Sequence, residues 1–327
     1  SYYKNYINMI KTISYIFVGL ILMTNLCSCG GRKNKDGRTD TYSSGAISFA
    51  SDESFSPIIE EERSLFESLY PLAKLTPIYT NESDAINQLL QGKVCMAITA
   101  RDYKKAELES LKARKQFPLS IKIAYDGLAL IQNTANTDSC ISVKDIKRIL
   151  TGEVTRWNQI YPKSDKGEIT VVFDNKKSST VHYVEDSILG GKPITSPSVF
   201  AVNKTEEVVK YVEKHKGAIG IIGSNWLNDQ RDTTNLTFRK EVRPMAVTKL
   251  DVANVANSWK PYQYYFLNGN YPLVRTIYIL LNDPHMGLPT GFKNFIISQD
   301  RGQIVILKAG LLPAYGRLTI REVHVND

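Results

Sequence analysis

The stretch VVFDNKKSSTVHYVED, residues 171–186, reads as a β-branched strand, a loop with no large apolar residue, and the start of a helix. Val181, Val184, Ile188 and Leu189 recur behind Ser178, Ser179 and Thr180 at helical spacing, so three hydroxyls are grouped where a helix begins. A helix start leaves backbone N–H groups without partners and carries partial positive charge. Hydroxyls placed there cap the helix or share an anion with it. Strand, loop, helix is the repeating unit of an α/β protein.

The rest of the chain repeats that unit. AISFA (46–50) reads as a strand, 57–69 as an amphipathic helix, LTPIYT (75–80) as a strand, SDAINQLLQG (83–92) as a short helix and VCMAITA (94–100) as a buried strand. IKIAYDGLALIQN (121–133) reads as a long strand pair. SVKDIKRILTGEVTRWNQI (142–160) reads as a helix ending near Gly152 and a Trp-bearing turn, and VVKYVEKHKGAIGIIG (208–223) as helix then strand. YPLVRTIYILLN (271–282) reads as a strand, and two helices close the chain within 291–314. This alternation predicts a largely parallel sheet covered by helices. In open sheets of that kind ligands sit beyond the carboxyl ends of strands, which directs attention to the loops SDESFSP (51–57), TNESDA (80–85) and DNKKSST (174–180).

With 327 residues, 43% of them hydrophobic, the chain is long enough for two lobes with ordinary cores, and disordered or fibrous classes are excluded. Lys4 and Lys11 precede the apolar run ISYIFVGLILM (13–23), too short to span a bilayer and right for a signal-peptide core; Met9 is a candidate start. LCSC (26–29) resembles the lipobox of bacterial lipoproteins, which implies lipidation of Cys29 and attachment to a membrane surface without a transmembrane segment. Residues 1–28 are then leader and 29–44 a polar tether, and the expected location is the cell envelope, facing the periplasm or outside. The formal charge of +8 is spread among 33 acids with no nucleic-acid signature, so anionic small ligands fit better than nucleic acid. Cys95 and Cys140, the thiols left after the leader, either pair or stay free, and no metal-ligand spacing joins them to the four histidines.

AYDGLALIQN (124–133), DIKRILTGEVTRWNQI (145–160), the Ser-Ser-Thr loop, VVKYVEKHKGAIGII (208–222), YPLVRTIYI (271–279) and ISQDRGQIVILKAGLLPA (297–314) occur in the order seen in the PstS family, the substrate-binding proteins of phosphate ABC transporters, and the chain resembles that family. The resemblance implies a type 2 periplasmic-binding-protein fold. Its two lobes, 45–130 with 271–327 and 131–270, are each a mixed, mainly parallel sheet flanked by helices, and they close by a hinge over phosphate or a related oxyanion without chemistry or cofactor. It implies an ABC permease as partner and a monomeric state.

Carried over loop by loop, the resemblance places Ser54 and Phe55 in the first ligand loop, Ser83 beside Glu82 in the second, Arg101 after Thr99 and Ala100 in the third, and Ser178, Ser179 and Thr180 in the fourth. The family's fourth-loop arginine falls on Asp174. An exchange of charges between loops is therefore expected, Arg101 binding the anion and Asp174 accepting its proton. Glu82 is expected to face solvent, Trp157 and Trp226 to be core or lobe-surface aromatics, and Phe55 a core anchor or cleft wall. Two other readings stay open: a tethered sensor with altered ligand binding, and a serine hydrolase using Ser178 with His182 and Asp174.

Overall fold

The computed structural model describes residues 37–229 and 238–316; the apolar run 13–23, Cys29 and the first half of the tether, 29–36, lie outside the described residues. The chain divides into Ser1–Thr39 and Asp40–Asp327, and every element below belongs to the second unit. Among the described residues no helix is long and apolar enough to cross a membrane.

Strands β1 (Gly45–Asp52), β2 (Ala73–Thr80) and β3 (Met96–Thr99) are linked through helices Ser56–Leu69 and Glu82–Leu90. Pro57 opens the first helix, where its missing N–H would have had no partner, and Asn81 caps the second by accepting from the Asp84 N–H. Such crossover helices allow β1 to pair in parallel with both β2 and β3. Helix Lys105–Ala113 then leads into β4 (Leu119–Asn133), a single strand of 15 residues where the sequence suggested a strand pair.

The second half contains β5 (Cys140–Ser142), helix Val143–Leu150, β6 (Thr170–Phe173), helix Ser179–Tyr183, β7 (Val199–Ala201), helix Thr205–Lys214 and β8 (Ala218–Gly223). Then come β9 (Val242–Pro244), β10 (Ala246–Thr248), helix Gln263–Leu267, β11 (Val274–Leu281), helices Leu288–Ile297 and Gly302–Lys308, and β12 (Leu312–Pro313). The main sheet runs β2-β1-β3-β11-β4-β8-β6-β7, with β9 and β12 also on β4 and a small β5/β10 pair apart. Its flanks are parallel and its middle antiparallel, because β11 returns between β3 and β4.

β4 changes partner along its length. Leu119–Gly127 pairs with β11, and Leu128–Gln132 pairs with β8. Hydrophobic clusters lie on both faces at both ends of the sheet. One gathers Phe49, Phe66, Ile277, Phe292 and Ile296 near β1; another gathers Leu130, Trp157, Phe173, Val184 and Ile221 near β6. The strands between them are continuous apolar runs rather than alternating ones, since helices cover both sides.

Phe292 is fully buried with its ring 5.7 Å from Phe49 and 5.3 Å from Phe66. Phe292→Ala is expected to cost about 3–5 kcal/mol through lost transfer energy and the cavity left behind, read as a lower urea midpoint at unchanged slope.

Candidate functional site

The carboxyl ends of β1, β3 and β6, with the middle of β4 and the start of β11, converge on one polar cluster. Its centre is Arg275 on β11, 3% exposed, directly opposite Asp126 on β4 in the antiparallel register. The guanidinium forks onto that carboxylate, Nε to Oδ1 at 2.8 Å and Nη2 to Oδ2 at 3.0 Å. Burial alone would lower the Arg275 pKa; Asp126 more than offsets this and the cation is held charged. Gly223 makes room for the fork, because a Cβ there would stand 2.6 Å from Nη2.

The remaining donors of Arg275 reach the first and fourth loops. Nη1 donates to Ser179 Oγ at 2.8 Å and Nη2 to Ser54 Oγ at 3.3 Å, while the two hydroxyls lie 3.0 Å apart. The Phe55 ring lies under the guanidinium, 4.6 Å from Cζ, and is fully buried. Thus Ser54, Phe55 and Ser179 meet around one cation although 125 residues separate the two serines.

Ser178 is the helix cap, its hydroxyl accepting from the Val181 N–H at 3.3 Å. The same hydroxyl donates to Asp174 Oδ1 at 2.7 Å, and Thr180 Oγ1 donates to that oxygen as well. Asp174 is 1% exposed; burial raises its pKa, which the Thr180 and Ser178 hydroxyls, Arg275 and the Asn175 N–H lower in part. Asp52, at the end of β1, accepts from the Ser54 N–H and from the Ser179 N–H, each at 2.8 Å. Next to it Glu53 accepts from the Thr205 hydroxyl at 2.7 Å. A cavity of about 310 Å³ opens beside these groups, lined by Asp52, Glu53, Tyr79, Asn81, Asp174 and Lys204 among others.

Two expectations are corrected here. Arg101 does not supply the cation beside the hydroxyls: it forks onto Glu107, at 2.7 and 2.9 Å, because Glu107 stands in the first turn of the following helix with its carboxylate also on the Lys104 N–H. Glu82 does not face solvent: it is 1% exposed, accepts from the Ala100 N–H at 2.6 Å and pairs with His182 Nδ1 at 2.6 Å. Ser83 meets the fourth loop through its backbone, N–H to the Lys177 carbonyl at 3.4 Å, rather than through its hydroxyl. The side chains of Ser178 and His182 are each engaged by a different carboxylate, and the two residues meet only through the His182 N–H and the Ser178 carbonyl, so the nucleophile and base of a serine hydrolase are not assembled. Cys95 and Cys140 are not joined to each other.

Asp52, Asp126 and Arg275 were not singled out from the sequence. The available signal was one Asp in AYDGLALIQN and one Arg in YPLVRTIYI, each in an apolar strand where a charge needs a partner.

The acids give the site a pH signature. Burial, then Asp174, then Glu82 push the Asp52 carboxyl from 3.8 up to about 6, and burial, then Asp174 and Asp52 push Glu53 from 4.5 up to about 7. His182 is raised above 6.5 by its Glu82 partner. All three folded-state values lie above the unfolded ones, so their contribution is fully present below the unfolded pKa and is lost as pH rises through the folded one. The melting temperature should fall between about pH 5 and pH 7, and Asp52→Asn should flatten that slope in a calorimetric pH series.

Residues 36–300 match the family model described as a PBP superfamily domain. Among curated relatives, the phosphate-binding protein PstS of Staphylococcus saprophyticus is 22% identical over 282 residues, covering 85% of this chain and 82% of the relative. PstS of Bacillus subtilis is 20% identical over 314 residues, covering 94% and 95%. Among solved structures, a putative phosphate ABC transporter substrate-binding protein with bound phosphate from Clostridium perfringens superposes with TM-score 0.69 at 21% identity, covering 83% of this chain and 100% of that one. An ABC-type phosphate transport receptor from Vibrio cholerae gives TM-score 0.60 at 19% identity, covering 82% and 100%.

Proposed function

The chain belongs to the PBP superfamily, and on that premise we propose that it is an extracytoplasmic solute-binding protein that captures phosphate or a related oxyanion between two lobes and delivers it to an ABC permease. The observation that carries the reading is the meeting of Ser54 and Ser179, from loops far apart in sequence, on the buried guanidinium of Arg275. Hydroxyls, loop N–H groups and a fixed cation form a donor set suited to a dehydrated oxyanion, which needs many hydrogen bonds once its water is removed. The names of the relatives, phosphate-binding proteins over most of their length, point the same way.

The lobes in this reading are 45–130 with 271–327 and 131–270, hinged within β4, which passes from β11 to β8, and where the chain returns into β11. Closure brings the first loop onto the fourth. Cys29 carries the lipid that holds the protein at the envelope, and the polar residues after it let the lobes sample the surroundings of the permease. A second reading, a tethered sensor with altered ligand choice, draws on the two carboxylates, Asp52 and Asp174, that share the site with the donors.

The test of ligand class is a thermal-shift series with phosphate, arsenate, sulfate and organic phosphates. A ligand that binds the folded state alone at a hundred times its Kd adds about 2.7 kcal/mol, and phosphate is expected to raise the melting temperature by several degrees. No shift with any oxyanion would refute the capture of oxyanions. For the anchor, Cys29→Ala is expected to move the protein from the membrane fraction to the soluble fraction with an unchanged melting temperature; retention at the membrane would refute lipidation.

A further inference from the structure

Asp52 ends β1 and is fully buried. Its two oxygens take one backbone N–H from each side of the site. Oδ1 accepts from Ser54, two residues on, at 2.8 Å, and Oδ2 accepts from Ser179, 127 residues away, at 2.8 Å. These are the first-loop and fourth-loop N–H groups that a captured oxyanion would need, and the hydroxyls of the same two serines stand beside them on Arg275. A carboxylate is itself such an anion, with delocalised charge and acceptor-only oxygens. A free oxyanion cannot share these donors with it, since a second negative charge in the same buried space would meet lone pairs instead of N–H groups.

We infer that Asp52 is a built-in occupant of the oxyanion position: it fastens the first loop to the fourth, and it sets affinity because a free oxyanion binds by displacing it. This rests on the oxyanion reading above. The adjoining cavity of about 310 Å³, which Asp52 lines, gives the displaced side chain a place to turn into. Ligand binding is then an exchange of one anion for another. The affinity observed is the difference between two sets of contacts, and selectivity falls to whichever oxyanion displaces a carboxylate best from the Ser54 and Ser179 N–H groups.

The experiment compares the wild type with Asp52→Asn and Asp52→Gly. Asparagine keeps an acceptor for the Ser54 N–H but is uncharged, and its amide turns donor against donor at Ser179. Glycine removes the occupant altogether. Circular dichroism checks that each variant folds, and Asp52→Asn serves if the glycine variant does not. In a buffer free of oxyanions, solution scattering is expected to give both variants a larger radius of gyration than the wild type. Calorimetry with inorganic phosphate is expected to show binding at least about tenfold tighter in both, a step of roughly 1.4 kcal/mol. An unchanged radius overturns the inference. So does phosphate affinity that falls or stays the same while the wild type binds phosphate; in that case the oxyanion reading stands without it. If none of the three proteins binds phosphate or any other oxyanion and the radius still grows, Asp52 is the fastening contact and the oxyanion reading is what fails.

Discussion

One buried ion pair organises this site. Asp126 and Arg275 face each other across adjacent antiparallel strands, nearly without solvent, and each would be a costly solitary charge in the middle of an apolar sheet. Because the guanidinium is planar and forked, pairing with Asp126 fixes the direction of its other donors. Those donors point at Ser54 and Ser179, and the Phe55 ring closes the face below. Neighbouring choices follow from this geometry. Gly223 has no Cβ where Nη2 must lie, and Asn225 and Trp226 hold the Ser54 carbonyl from the far side, at 2.9 and 3.0 Å. A loop of small polar residues thus becomes a defined surface because the charge it bonds is held in place by Asp126.

Around that cation the acids outnumber it. Asp52, Asp126 and Asp174 are all buried within one hydrogen-bond network, and Glu82 with His182 adds a second pair at its edge. The upward shift of Asp52 is the physical mark of this crowding: burial and like charges both favour the protonated form. Where the resemblance read in the sequence would put a fourth-loop arginine, this chain holds Asp174, a carboxylate already occupied by two hydroxyls. The cation has a different origin, the strand rather than the loop, and its position is fixed before any ligand arrives.

Much of the architecture could be read from residue patterns, because periodicity is a local property. The strand and helix around Ser178 behave as VVFDNKKSSTVHYVED suggests, apart from a widening to five residues of π-helix at Val184–Ile188 that carries no local signal. Partner choice was not local. Arg101 turned to Glu107, six positions on, because a helix cap was nearer than the cleft. Glu82 became buried because His182, a hundred residues distant, and the Ala100 N–H supplied partners for its carboxylate. Asp52 stood inside a loop already marked as a ligand loop, yet its bond to the Ser179 N–H depends on how two separate loops fold together. Spacing reveals which residues share a face; it does not reveal which of several oppositely charged groups arrives first.

The antiparallel return of β11 also orders assembly in time. The inner half, from Leu128 to Leu273, is continuous in sequence, and its two ends are joined by a 2.7 Å bond from the Leu128 N–H to the Leu273 carbonyl. The outer half is interrupted by it, and the strand that must lie between β3 and β4 is synthesised only after β4 to β10. A chain emerging from a ribosome or an export channel therefore carries β1, β2 and β3 with an open edge until Leu281 appears, while the inner half has all its own strands in hand well before. An exposed parallel edge is prone to pair with the wrong chain. The fold's dependence on one late central strand makes the interval between β4 and β11 its period of greatest exposure to chaperones and to misassembly.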